Sequence, residues 1–298
     1  MKIDYKYTQI LEDIMRYGYV YEDPNRKDVF RKELETVHIK HLVQEGFPIV
    51  TARKTFFKGA VGELLLFLKG STDIRDYHNY GIRFWDKDFA RYQGYKKEQV
   101  DELYKLWKKG ISLVLDTGYD MGKIYAYQYK KQHSVFDNFK ENPLRTDLIV
   151  DSWQVDDLKD MCLIPCHYSF QIVGSEDGFL IVWNQRSTDF LLGTPINIQF
   201  YFLMGMLLEL WSGHKFNGVV GNLCKVHLYD NQLKLANEMI KLPTSLYKDN
   251  IVVNVEFKEE FKKLPFSEFI KKIEPENFKI ENYDFVLNES VEMLTYKK

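Results

Sequence analysis

Apolar side chains at Ile3, Tyr7, Ile10, Leu11, Ile14 and Met15 recur at the spacing of a helix face and stop at Gly18, so an amphipathic helix is expected over residues 1–17. A polar loop, Asp23-Pro24-Asn25-Arg26-Lys27, follows and leaves Arg26 free to reach a ligand, while Leu34 to Val50 reads as strand. Residues 56–69 form the next expected helix, closed by Gly70, with Glu63 set among Val61, Leu64, Leu65, Leu66, Phe67 and Leu68. A further helix is expected from Lys97 to Lys108. The period changes at Ile164-Pro165-Cys166-His167-Tyr168-Ser169-Phe170-Gln171. Read as a strand, this stretch puts Cys166, Tyr168, Phe170 and Ile172 on one face and His167, Ser169 and Gln171 on the other, a polar side suited to a site. Gly174 to Gly178 reads as a hairpin loop and Phe179 to Trp183 as the returning strand, ending at Asn184-Gln185-Arg186-Ser187. Ile196 to Trp211 is a buried helix with Pro195 in its first turn, and Val226-His227-Leu228-Tyr229 is a strand with His227 and Tyr229 on one face. From Phe266 to Lys298 lysine and glutamate dominate, and the charge run reads as solvated surface.

Composition narrows the class. A 298-residue chain with 45% apolar residues and no Pro/Gly/Ser-rich linker is read as one domain, residues 1–298. Its 41 basic and 43 acidic side chains nearly cancel, which gives no reason to expect nucleic-acid binding. Cys162, Cys166 and Cys224 are odd in number and match neither a disulfide framework nor paired zinc ligands, so free thiols in a reducing cytoplasm are expected, with no metal. The amino terminus lacks the apolar run of a signal peptide. The most apolar segment is shorter than the roughly 20 residues that span a bilayer and contains Asn197, Gln199 and Glu209, so no membrane association is expected.

The polar residues suggest covalent chemistry. Cys166 and the Arg186-Ser187 pair fall at neighbouring strand ends, a nucleophile beside an anion clamp suited to a phosphorylated substrate. Glu63 is either a helix-face glutamate or a partly buried carboxylate whose proton affinity desolvation raises. Asn197 is either a helix cap or an amide that pairs with a donor and an acceptor on a ring edge such as that of uracil. His227 and Tyr229 are sugar-hydroxyl partners or ordinary strand polars, and the aromatics from Phe84 and Trp85 to Tyr125, Tyr127 and Tyr129 are core or a wall for a flat heterocycle.

Together these stretches resemble the thymidylate synthase family, which includes the pyrimidine nucleotide hydroxymethylases. The resemblance is carried by Pro165-Cys166-His167 with Gln171, Gln185-Arg186-Ser187-Thr188-Asp189, Leu192-Gly193-Thr194-Pro195-Ile196-Asn197-Ile198 and His227-Leu228-Tyr229. Gly46 to Thr51, Glu63 to Leu68 and Ile82-Arg83-Phe84-Trp85-Asp86 add weaker matches. It implies an α/β (α+β) two-layer fold with a large mixed sheet, a sheet-to-sheet homodimer, dUMP as substrate and 5,10-methylenetetrahydrofolate as co-substrate. It further implies that Cys166 adds to C6 of dUMP, with Glu63, Tyr125 and Asn197 as its catalytic partners. Arg26, Arg145, Gln185, Arg186, Ser187, Asn197, His227 and Tyr229 then hold the nucleotide, and Asp189, Trp85 and Gly193 the folate. Several positions depart from the family pattern. An arginine pair is reduced to Arg145, a Gly-Gly-Asp is replaced by Leu223-Cys224-Lys225, a second tryptophan is Asp88, and the ending from Glu292 to Lys298 is altered. The altered tail and lost tryptophan lean the expected product towards 5-hydroxymethyl-dUMP; dTMP with dihydrofolate is the alternative, and a non-catalytic nucleotide-binding descendant a third.

Overall fold

The amino-terminal periodicity forms α1 (Ile3–Tyr17), which buries Ile3, Tyr7, Leu11 and Ile14. The computed structural model describes residues 2–24, 26–94, 96, 98, 102, 105, 106, 109 and 118–291. The helix expected over Lys97–Lys108 therefore lies largely outside the described residues, and the ending from Glu292 lies wholly outside them. Strands β1 (Tyr19–Glu22) and β2 (Phe30–Leu42) come next. Strand pairing stops at Leu42, not at Val50: Glu45 accepts hydrogen bonds from the Leu42 amide at 2.9 Å and from Lys6 Nζ at 2.7 Å, closing a single turn over Val43–Glu45. Helix α2 (Phe57–Lys69) ends at Gly70, whose φ of 76° is the left-handed cap glycine adopts without a Cβ clash. Three short helices, α3 (Ile74–Asn79), α4 (Asp86–Tyr92) and α5 (Tyr125–Lys131), lead to α6 (Ser134–Glu141) and strand β3 (Ile149–Asp151).

Strands β4 (His167–Ser175) and β5 (Gly178–Gln185) make the expected hairpin, followed by β6 (Thr188–Asp189), helix α7 (Thr194–Ser212) and strand β7 (Phe216–Tyr229). The sheet order is β1-β2-β7-β5-β4-β3 with β6 beside β7; β5 and β7 are parallel because α7 carries the chain back between them. Helix α7 lies against α2 and β7, and Gly205 on α7 permits this closeness, since a Cβ there would lie 2.2 Å from the Phe216 ring. Helix α8 (Leu233–Ile240) packs against α1. Strand β8 (Val252–Val255), helix α9 (Phe266–Phe269) and strand β9 (Phe278–Glu281) complete the described chain, with β8 and β9 paired.

Two further sequence expectations change. Cys166 precedes β4, and a bulge lies between His167 and Ser169, whose partners on β5 are the adjacent Gln185 and Asn184. The extra residue turns His167 to the side of Phe170 and Ile172, so it is buried in the core rather than ranged with Ser169 and Gln171 on a polar site face. The terminal segment is not simply solvated surface either. Phe266, Phe269, Ile270 and Ile273 repeat at helical spacing among the charges and are fully buried, with the Phe266 and Phe136 rings stacked 4.0 Å apart.

Candidate active site

The centre of the site is set by strand ends. Arg186, just past β5, donates its backbone N–H to the Cys166 carbonyl at 2.9 Å, its Nε to the Pro165 carbonyl at 2.8 Å and its Nη2 to the Ile164 carbonyl at 3.2 Å. The guanidinium is thus strapped along the backbone that leads into the half-buried Cys166. Burial pushes the Cys166 thiol above its ordinary value, and the Arg186 charge pulls the other way without overcoming it. Arg186 thus steadies a thiolate once formed, while the resting group stays a thiol.

Behind the cysteine stands an aromatic stack. The Tyr125 hydroxyl accepts the Cys166 amide at 2.5 Å, its ring stacks on His167 at 4.5 Å and on Phe67 at 4.7 Å, and Trp85 meets it edge-on at 6.1 Å. His167, bonded to the Tyr201 hydroxyl at 2.8 Å and removed from water, is held neutral with its pKa pushed down to about 3. Most of these aromatics are core, as the simpler reading holds; Trp85 also carries a polar contact. Its Nε1 donates to Glu63 Oε1 at 2.9 Å, and burial raises the Glu63 carboxyl to about 7 against that single hydrogen bond. Glu63 is therefore the buried, proton-holding carboxylate of the second reading.

On the other flank Asn197 caps no helix; Gly193 stands at the start of α7 and Asn197 Nδ2 donates to Gln185 Oε1 at 3.0 Å. Gln185 in turn donates to the Ser187 carbonyl at 3.1 Å, so the Gln185-Arg186-Ser187 turn orients the amide. Arg26 is not a free arm. It is buried, ion-paired to Asp23 at 3.0 Å, and it donates to the Tyr229 hydroxyl at 2.6 Å. His227, in register with Asp189, places Nδ1 2.7 Å from the Lys225 carbonyl. A carbonyl only accepts, so Nδ1 carries the proton and Nε2 presents a lone pair, which is buried and has no hydrogen-bond partner among the described residues. Asp189 accepts from the Leu192 amide at 3.0 Å and from Gln232 at 3.0 and 3.2 Å, and its own carbonyl accepts the Gly193 amide at 3.0 Å.

Arg145 is not brought to this group within the chain: it is exposed in the loop before β3 and ion-paired to Asp147 at 2.6 Å. Sequence reasoning missed Gln232, Asp23 and the Glu33 pairings with Lys225 (3.0 Å) and Arg31 (3.3 Å), which brace the Tyr229 and His227 end. Asp23 lay within reach of Arg26 as an i,i+3 pair, whereas the Glu33–Lys225 and Gln232–Asp189 contacts join residues distant in the chain and leave no local mark. The Asp88–Arg91 ion pair at 2.7 Å was legible as an i,i+3 pair on α4. A cavity of about 1300 Å³ opens beside these groups, lined by Arg26, Arg91, Trp153, Cys162, Ile164 and Arg186 among others. No cluster of three His, Cys, Asp or Glu side chains among the described residues is arranged to hold a metal.

A mixed sheet with a cysteine and an arginine at adjoining strand ends, a buried carboxylate and a lone-pair histidine form an arrangement suited to nucleophilic chemistry beside an anion. The family model for thymidylate synthase matches residues 5–295, so the chain belongs to the thymidylate synthase family. It is 30% identical over 243 residues to a probable thymidylate synthase of Escherichia phage T5, a match covering 79% of this chain and 82% of that protein. Against the thymidylate synthase of Buchnera aphidicola subsp. Baizongia pistaciae it is 31% identical over 239 residues, covering 78% and 82% respectively. The thymidylate synthase of Symbiobacterium thermophilum gives 31% over 255 residues, covering 82% and 87%. The protein is a C5 one-carbon transferase of this family, acting on dUMP with 5,10-methylenetetrahydrofolate as co-substrate.

Proposed function

We propose that the protein converts dUMP to 5-hydroxymethyl-dUMP and releases tetrahydrofolate. The observation that carries this reading is the Asp88–Arg91 ion pair on α4, with Asp88 buried one turn beyond Trp85 and Arg91 part-exposed. Hydride transfer to an exocyclic methylene needs water excluded, and a charged pair at the wall of the site retains water instead. In this reading Cys166 Sγ adds to C6, Arg186 stabilises the thiolate form as it attacks, and C5 becomes the nucleophile towards the one-carbon unit that the folate supplies. Glu63, titrating near neutrality, handles the O4 proton with Tyr125 nearby, and Asn197, held by Gln185, pairs with the uracil N3 and O4 edge. The 3′-hydroxyl donates to the His227 lone pair and accepts from Tyr229, whose oxygen already accepts a hydrogen bond from Arg26. Arg26, Arg186 and Ser187 hold the phosphate. Asp189, Trp85 and Gly193 are assigned to the folate: a braced carboxylate suits the N–H donors of a flat heterocycle, and an indole suits its face. One catalytic domain, residues 1–298, acts as a cytoplasmic homodimer through the half-exposed face of the sheet.

Methylation to dTMP is the second reading, favoured by the names of the relatives. Mass spectrometry of the nucleotide formed from dUMP and methylenetetrahydrofolate separates the two. We expect a product heavier than dUMP by formaldehyde, with no dihydrofolate and no product from Cys166→Ser; a product heavier by one methylene, with dihydrofolate, overturns the proposal.

A further inference from the structure

Asp88 is 7% exposed, and burial raises its proton affinity while Arg91 and Arg26 lower it. Arg91 Nη2 lies 2.7 Å from Oδ1, yet no hydrogen bond of good geometry closes on that buried oxygen among the described residues. Its helix adjoins the reacting centre. Asp88 follows Trp85 by three positions, and Trp85 touches both Glu63 and Tyr125, the residue that holds the Cys166 amide. Arg91 donates to the Cys162 carbonyl at 3.2 Å, tying α4 to the segment that leads into Cys166, and the Asp88 charge raises the proton affinity of both thiols. A carboxylate whose proton affinity burial raises against two guanidinium charges, held in a charged pair that retains water, has the properties of a base.

Resting on the hydroxymethylation reading, we infer that Asp88 is the catalytic base that takes a proton from the water adding to the exocyclic methylene carbon of the nucleotide. The water oxygen forms the new C–O bond while one of its protons passes to Asp88. The electron pair of the C5–methylene double bond moves to the C4 enolate, and its collapse restores the C5–C6 double bond and expels the Cys166 thiolate. One water is consumed, no oxidant or reductant is needed, and the hydroxymethyl product leaves. Glu63 is less suited to this step, because it is buried with the Trp85 indole as its hydrogen-bond partner and already serves the O4 proton.

The test uses full-length Asp88→Asn and Asp88→Ala with dUMP tritiated at C5. Tritium release reports every step up to loss of the C5 proton, and mass spectrometry reports water addition. We expect Asp88→Asn to release about one tritium per active site in the first turnover while forming 5-hydroxymethyl-dUMP about 10²-fold more slowly. Formate should restore product formation in Asp88→Ala. Wild-type hydroxymethyl product with an equally fast Asp88→Asn removes Asp88 as the base, and tritium release lost in step with product makes the ion pair merely structural. Wild-type protein that makes dTMP and dihydrofolate instead overturns the hydroxymethylation reading itself, and the role of Asp88 with it.

Discussion

Glu63 shows how one buried side chain couples folding to pH. The folded chain keeps its proton up to about pH 7, whereas the ordinary carboxyl value is 4.5. Its contribution to stability is therefore full below the unfolded value and is lost as pH rises towards 7. The loss of stability between about pH 5 and about pH 8 should be smaller in Glu63→Gln than in the unmodified chain, read from urea midpoints; parallel losses would show that the carboxyl is not buried in a protonated form. The same substitution should lower kcat by about 10²- to 10⁴-fold if Glu63 moves a proton in the reaction. Cys166 and Glu63 were visible as sequence anomalies, a thiol between proline and histidine and a carboxylate in an apolar helix. The state of His227 was not, because its free lone pair depends on the carbonyl of Lys225, which the positive φ of 49° at that residue turns towards the ring.

Among elements, the bulge at the head of β4 is the most consequential local feature. Strict alternation assigns His167 to the polar face, and one extra residue moves it into the aromatic stack behind Cys166. Segment α9 teaches a similar lesson about period. Its apolar stripe is narrow and surrounded by lysine and glutamate, so composition hides it, but Phe266 stacks on Phe136 and meets Trp211 edge-on at 5.2 Å. Phe266→Ala should destabilise the protein by about 3–5 kcal/mol in urea unfolding, as for other buried phenylalanines. A cost under about 1 kcal/mol, the range of surface positions, would return the segment to solvent.

At the scale of the molecule, one sheet face is covered by α7, on which α2 packs in turn, and the other is left half-exposed. His38, Asn222, Asn184 and Ser169 form a hydrogen-bonded row across β2, β7, β5 and β4 on that open face, at 3.0, 3.0 and 3.1 Å, with Leu180 and Val182 half-buried beside it. A mixed polar and apolar face of this kind suits a second copy. Val182→Arg should shift the mass in sedimentation from dimer to monomer, and an unchanged mass would place the interface elsewhere. Arg145 belongs to the same question. In its own chain it pairs with Asp147 in an exposed loop, and in the proposed dimer it is the partner's phosphate that it would reach. We expect Arg145→Ala to raise the dUMP Michaelis constant with little change in kcat, whereas an unchanged constant removes it from the site.

The linear chain alone determined the elements with strong periodicity, α1, α2 and α7, the β4–β5 hairpin, and the Cys166 and Arg186 strand ends. Hydrophobic spacing and turn residues act between near neighbours, and near neighbours are what a sequence displays. Only the tertiary structure decided the proton states and partners. Whether Cys166 rests as a thiol, whether Arg26 is free or pinned by Asp23 and Tyr229, and where Asp88 points depend on groups that meet across the fold. Desolvation and charge pairing are properties of that assembled neighbourhood and of no single stretch of chain.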